Sequence, residues 1–202
     1  MSLHRTVVVL FVLSSVANAA TITEVDLANN RIELVNLTGE TIDMSGWFWC
    51  NRVNGTPSFY TSFANDGEID TSLSTAGTSF GSFSAGDVMV IELGAGILNE
   101  PNGELGIYDS SSFSSPDAVV DYIAWGANGV RDVEAQSAGL WIDNTFIPTP
   151  TAGESIQLTF GTAGNIADDY FTGAPNLGTF VPEPSTLGLL IVGLVFMIRR
   201  IR

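Results

Sequence analysis

Between residues 20 and 180 apolar and polar residues alternate with period two, and no stretch of ten or more residues carries a helical apolar face. That pattern constrains the fold most. Elements pack in layers through the face their period makes apolar, so a period-two chain builds sheets. Gly, Asn, Ser and Pro interrupt the alternation at short intervals and mark turns. The pattern predicts eight strands, at 21–26, 31–36, 47–52, 59–63, 87–93, 104–108, 119–125 and 155–160. Asn29-Asn30 predicts a tight turn between the first two, because asparagine tolerates positive φ. Residues 110–115 and 145–153 read as loops, and no internal repeat is evident. The expected fold class is all-β, a single β-sandwich around one core.

The two ends follow different rules. Arg5 precedes an apolar run at 6–13, and Ala17-Asn18-Ala19 is a small-x-small cleavage site. This predicts a secretory signal peptide at 1–19, outside the fold. At the other end Pro182-Glu183-Pro184 precedes an uncharged apolar run at 187–198, then Arg199, Arg200 and Arg202. At ~1.5 Å per residue that run spans about 18 Å as a helix, short of the roughly twenty residues of a comfortable span. Snorkelling arginines extend it to a marginal anchor. The arginines predict a cytoplasmic C-terminus. The two prolines keep the preceding chain extended, which suits the grip of a processing enzyme. The expected organisation is therefore 1–19 signal peptide, 20–180 one domain, and 181–202 sorting tail with a short transmembrane helix.

Charge narrows the function. Within 20–180 there are 21 acids against Arg31, Arg52 and Arg131, a net of −18, and the chain has no lysine. Such a surface repels phosphate, so nucleic-acid binding is not expected. His4 is the one histidine and leaves with the signal peptide. Ser-His-Asp and Cys-His catalysis and the usual zinc sites are then closed to the mature chain. Gly77-Thr78-Ser79-Phe80-Gly81 matches the nucleophile-elbow spacing, but it sits in a Ser/Thr/Gly-rich loop without a histidine partner. Cys50 is the single cysteine; no internal disulfide is possible, and it reads as a buried small residue.

Three features carry possible binding chemistry. Trp47 and Trp49 project to one face and Phe48 to the other, a carbohydrate platform with Tyr60 or, more simply, sandwich core. Asp66, Glu68 and Asp70 alternate beside Asn65 and Gly67, and Asp168-Asp169 form a second cluster. Calcium wants six to eight oxygens, and neither cluster supplies a full ligand loop. Asn36-Leu37-Thr38 and Asn54-Gly55-Thr56 match glycosylation sequons and are read as coincidental. No cofactor is expected.

Two resemblances follow from these residues. The tripartite tail of Pro182-Glu183-Pro184, apolar run and arginines resembles the PEP-CTERM signal of Gram-negative bacteria. That resemblance implies recognition by an exosortase, export, transient residence in the inner membrane, and delivery to the cell surface or an exopolysaccharide matrix. Glu24-Val25, Arg31-Ile32-Glu33-Leu34-Val35-Asn36 and Ile42-Asp43-Met44-Ser45-Gly46-Trp47 resemble the opening of a lamin-tail domain. Residues 83–91, 104–109 and 119–123 resemble its later strands. This implies an immunoglobulin-like sandwich, with Ile32, Leu34, Ile42 and Met44 facing one core, Glu33 facing away, and Asn36 and Asp43 bonding turn backbone. The chain departs from that pattern in an insertion at 51–82 and an extra segment after Trp125. The expected function is a non-catalytic exported surface or matrix protein. A carbohydrate- or calcium-dependent binding module is the alternative, and a carboxylate-based secreted hydrolase the third reading.

Overall fold

The structure is a computed structural model and describes residues 19–52, 59–94, 98, 101–127 and 129–180. Among the described residues ten strands form: β1 (Thr21–Asp26), β2 (Arg31–Val35), β3 (Phe48–Asn51), β4 (Phe59–Ser62), β5 (Glu68–Ile69), β6 (Val88–Glu92), β7 (Gly103–Tyr108), β8 (Val119–Trp125), β9 (Ser155–Leu158) and β10 (Tyr170–Gly173), with one short α-helix, α1 (Asp132–Ser137), before β9. They make a six-stranded sheet in the order β10-β9-β1-β2-β6-β5 and a four-stranded sheet in the order β4-β3-β7-β8. Every pairing between these strands is antiparallel.

All eight expected strands form, with ends shifted by at most two residues. Asn30 turns the chain into β2 at φ 53°. The two-residue β5 and the late β10 were not expected. The insertion after Asn51 supplies β4 and β5. The segment after Trp125 supplies α1, β9 and β10, and its last two strands extend the large sheet beyond β1.

Register explains how β1 serves two faces. Ile22 pairs with Leu34, but Glu24 pairs with Glu33 and Val25 with Ile32. Thr23 is the extra residue of a bulge, so Ile22 and Val25, three apart, both reach the core. From there Ile22, Val25, Ile32, Leu34, Met89, Ile91 and Ile156 form one contiguous cluster with Trp49, Leu105, Ile107 and Ile123 of the small sheet. Buried Asp121 ties the layers further: its Oδ2 accepts the Ile22 amide at 2.6 Å. Met44 belongs to this core as the signature spacing predicts and Trp47 joins it, while Ile42 is only partly buried.

Both outer faces are covered in part. On the small sheet Phe113 packs edge-on against Phe48 and Tyr108, and Tyr122 packs against Trp141. On the large sheet Val35, Val88 and Val90 form a second apolar cluster under Leu73, Leu177 and Phe180. The register sets a row across that face, Phe171–Gln157–Glu24–Glu33–Val90. Glu24 and Glu33 therefore stand side by side, only 2 % and 1 % exposed.

Candidate functional site

The sorting motif Pro182, Glu183, Pro184, the arginines Arg199, Arg200 and Arg202, the anticipated helix at 187–198, and Ala17 lie outside the described residues. Ala19 is described; it sits half-buried against the core just before β1. Among the described residues no helix is long and apolar enough to cross a membrane.

The aromatic platform does not exist as an open surface. Trp47 is 8 % exposed and Trp49 fully buried, with the Trp49 indole N–H donating to the Asp66 carbonyl at 2.8 Å. Phe48 turns to the opposite face, as the alternation predicts. The acidic loop is occupied with its own structure. The Asp70 carboxylate accepts the Ser72 amide at 3.0 Å and hydroxyl at 2.6 Å, and stands 3.7 Å from Arg31. The Ser72 hydroxyl, aided by the backbone and Arg31, holds the Asp70 carboxyl below the usual range. Asp169 accepts the amides of Gly164 and Asn165. Among the described residues no three His, Cys, Asp or Glu side chains gather as a metal ion requires.

Other expectations resolve in the same way. Asn36 is buried; its amide donates to the Glu40 and Phe83 carbonyls and its oxygen accepts the Thr38 amide, so it brackets a turn and is closed to glycan attachment. Asp43 likewise accepts the Ser45 amide at 2.9 Å. Cys50 is fully buried, and burial pushes its thiol far above the ordinary range. Ser79 lies in a turn bridged to Ser82, with neither a strand before it nor a helix after it.

Two constellations emerge that the sequence did not announce. The first is on the small sheet. Arg31 is engaged with Asp70 and Glu92. The other two arginines of the domain converge on one phenol: Arg131 Nη2 donates to the Tyr60 oxygen at 3.1 Å, and Arg52 Nη1 at 3.4 Å. Arg131 Nη1 also bonds Glu134 at 2.8 Å and the Ser114 hydroxyl at 3.1 Å. Burial works against the charge of Arg131, but its bonds to Tyr60 and Glu134 hold it firmly protonated. Beside it opens a groove of about 480 Å³ lined by Tyr60, Phe113, the serines of 111–115 and Arg131. Two guanidiniums meet here, and among the described residues Glu134 bonds one of them.

The second constellation is the set of buried carboxylates. Glu104 takes the Tyr122 hydroxyl at 2.7 Å and the amides of Val130 and Arg131 at 2.6 and 2.9 Å, all on one oxygen. It thereby anchors the chain that leads into α1. Glu24 and Glu33 lie beneath the last described segment, 174–180. Glu24 accepts the Ser155 hydroxyl at 2.6 Å and the Asn176 amide at 3.0 Å. Glu33 accepts the Thr23 hydroxyl at 2.6 Å and the Gly178 amide at 2.5 Å. Burial raises the pKa of all three. Chemically Glu24 and Glu33 are a carboxylate pair, yet the chain closes over them and leaves no opening for a substrate.

Comparison with known proteins bears on the tail. Residues 180–202 match the PEP-CTERM protein-sorting motif. That motif implies export, processing by an exosortase and C-terminal sorting to the cell envelope and surface. No curated protein and no solved structure matched the chain.

Proposed function

We propose that the chain is a non-catalytic surface or extracellular-matrix protein, exported behind the signal peptide at 1–19 and held briefly in the inner membrane by 187–198 before exosortase processing. The observation that carries this is the sorting motif at 180–202 directly following an all-β domain whose four tryptophans are spent on its core. The domain is read as an immunoglobulin-like sandwich of the lamin-tail kind. Supporting that reading, two antiparallel sheets share one core that takes in Ile32, Leu34, Met44 and Trp47 of the signature segment. Mass spectrometry of surface-extracted protein tests the proposal. Mature chains lacking both 1–19 and 187–202 are expected; a mature surface chain that retains an intact C-terminus overturns it.

A second reading is favoured by the groove at Tyr60. Serine hydroxyls, an aromatic wall and the Arg131 guanidinium suit a hydroxyl-rich monoanion such as an acidic saccharide unit. Titration of the mature domain with a uronate oligosaccharide, followed by NMR, tests it. Arg131→Gln should abolish the shifts and Arg31→Gln leave them; equal binding of a neutral oligosaccharide refutes the charge argument.

A further inference from the structure

The segment from Ala174 to Phe180 is not a free linker to the tail. Gln157 Nε2 donates to the Ala174 carbonyl at 2.7 Å, Glu24 takes the Asn176 amide, and Glu33 takes the Gly178 amide. Leu177 and Phe180 pack on Val35, Val88 and Val90, and the Phe180 ring lies 6.2 Å from that of Phe160. Gly178 adopts φ +80°, and a Cβ there would stand 2.6 Å from the Leu73 carbonyl oxygen. So a polar and an apolar row both hold the strap, and one residue in it must be glycine.

Only Val181 separates packed Phe180 from Pro182. At ~3.5 Å per extended residue the motif begins within about 7 Å of the domain surface. A processing enzyme that grips extended chain on both sides of the motif must draw on residues the sheet now holds. Resting on the exosortase reading above, we propose that Glu24 and Glu33 are positioning residues: their hold on the strap 174–180 sets how readily the sorting motif reaches its processing enzyme. The pair suits a releasable latch. Two carboxylates sit directly across a strand pair, which is unfavourable while both are charged; Glu33 takes the Thr23 hydroxyl on one oxygen and the Gly178 amide on the other, and Glu24 takes the Ser155 hydroxyl and the Asn176 amide on Oε1. Undocking exposes both to water without disturbing the inner core.

The test uses the full chain in cells that carry out the processing, followed by pulse-chase. Gly178→Ala should speed processing about tenfold, the response to losing roughly 1.4 kcal/mol of docking. It should also deprotect the Asn176 amide to hydrogen exchange while the β9 amides stay protected. A second chain keeps the strap intact and inserts about ten glycines and serines after Phe180, a coil of about 17 Å. It should be processed as fast as Gly178→Ala, and adding Gly178→Ala to it should give no further gain. Parental rates for the spacer chain overturn the latch, whatever Gly178→Ala does to folding. Absence of processing in every chain, the parent included, overturns the exosortase reading and the latch with it.

Discussion

Replacing Trp49 by alanine separates a core tryptophan from a ligand platform. The side chain is fully buried between the sheets and its indole N–H is bonded to the Asp66 carbonyl. A tryptophan buries on the order of 200 Å², which at ~25 cal/mol per Å² sets a ceiling of about 5 kcal/mol from transfer alone. The compact unfolded chain lowers that figure. Leaving the Asp66 carbonyl without its donor adds about 1 kcal/mol. The expected loss for Trp49→Ala is about 4–5 kcal/mol, at the upper end of measured aromatic truncations. Trp49→Phe keeps most of the apolar area and forfeits the hydrogen bond, so about 1–2 kcal/mol is expected. Urea titration of the mature domain, with unchanged slope across the variants, reads both values. A loss below about 1 kcal/mol for Trp49→Ala refutes the packing argument and reopens the sugar-platform reading.

Three further outcomes follow from buried or occupied groups. Burial raises the carboxyls of Glu24, Glu33 and Glu104, so the folded state takes up protons before the unfolded state does. Stability should therefore rise as pH falls from 7.5 towards ~5, and Glu33→Gln should flatten that rise in a thermal melt series; a fall over this range counts against it. Exposed Asp43 and partly exposed Asp70 and Glu154 shift the other way, but solvent screens them and their effect belongs to lower pH. Cys50, buried with its thiol pushed far up, should resist a thiol reagent in the native domain and react on unfolding; fast native labelling would show that the outer face of the small sheet opens. Millimolar calcium in ~0.15 M salt should give no saturating rise in melting temperature, because Asp70 is committed to Ser72 and Arg31; a saturating shift abolished by Asp66→Asn with Asp70→Asn would overturn this.

Local pattern was enough for the strands. Alternation in 119–125 reproduces β8 without error, and Asn30 was legible as a positive-φ turn because few other side chains tolerate it. The sorting motif of the tail was legible too, since such a signal is read by its receptor as sequence. The two-residue β5 and the late β10 were not, because so short or irregular a stretch shows no period and forms only where a neighbouring edge offers hydrogen bonds. Glu24 and Glu33 show the limit best. Alternation turned Glu33 away from the core, the bulge at Thr23 brings Glu24 to the same face, and an outward glutamate reads as solvated. Their burial comes from Asn176 and Gly178, 152 and 145 residues along the chain. Likewise Arg52 and Arg131 meet at Tyr60 only because β3, β4 and the chain after β8 gather on one sheet. Which face a residue points to is a property of its own strand; what covers that face is a property of distant chain, and tertiary structure alone decides it.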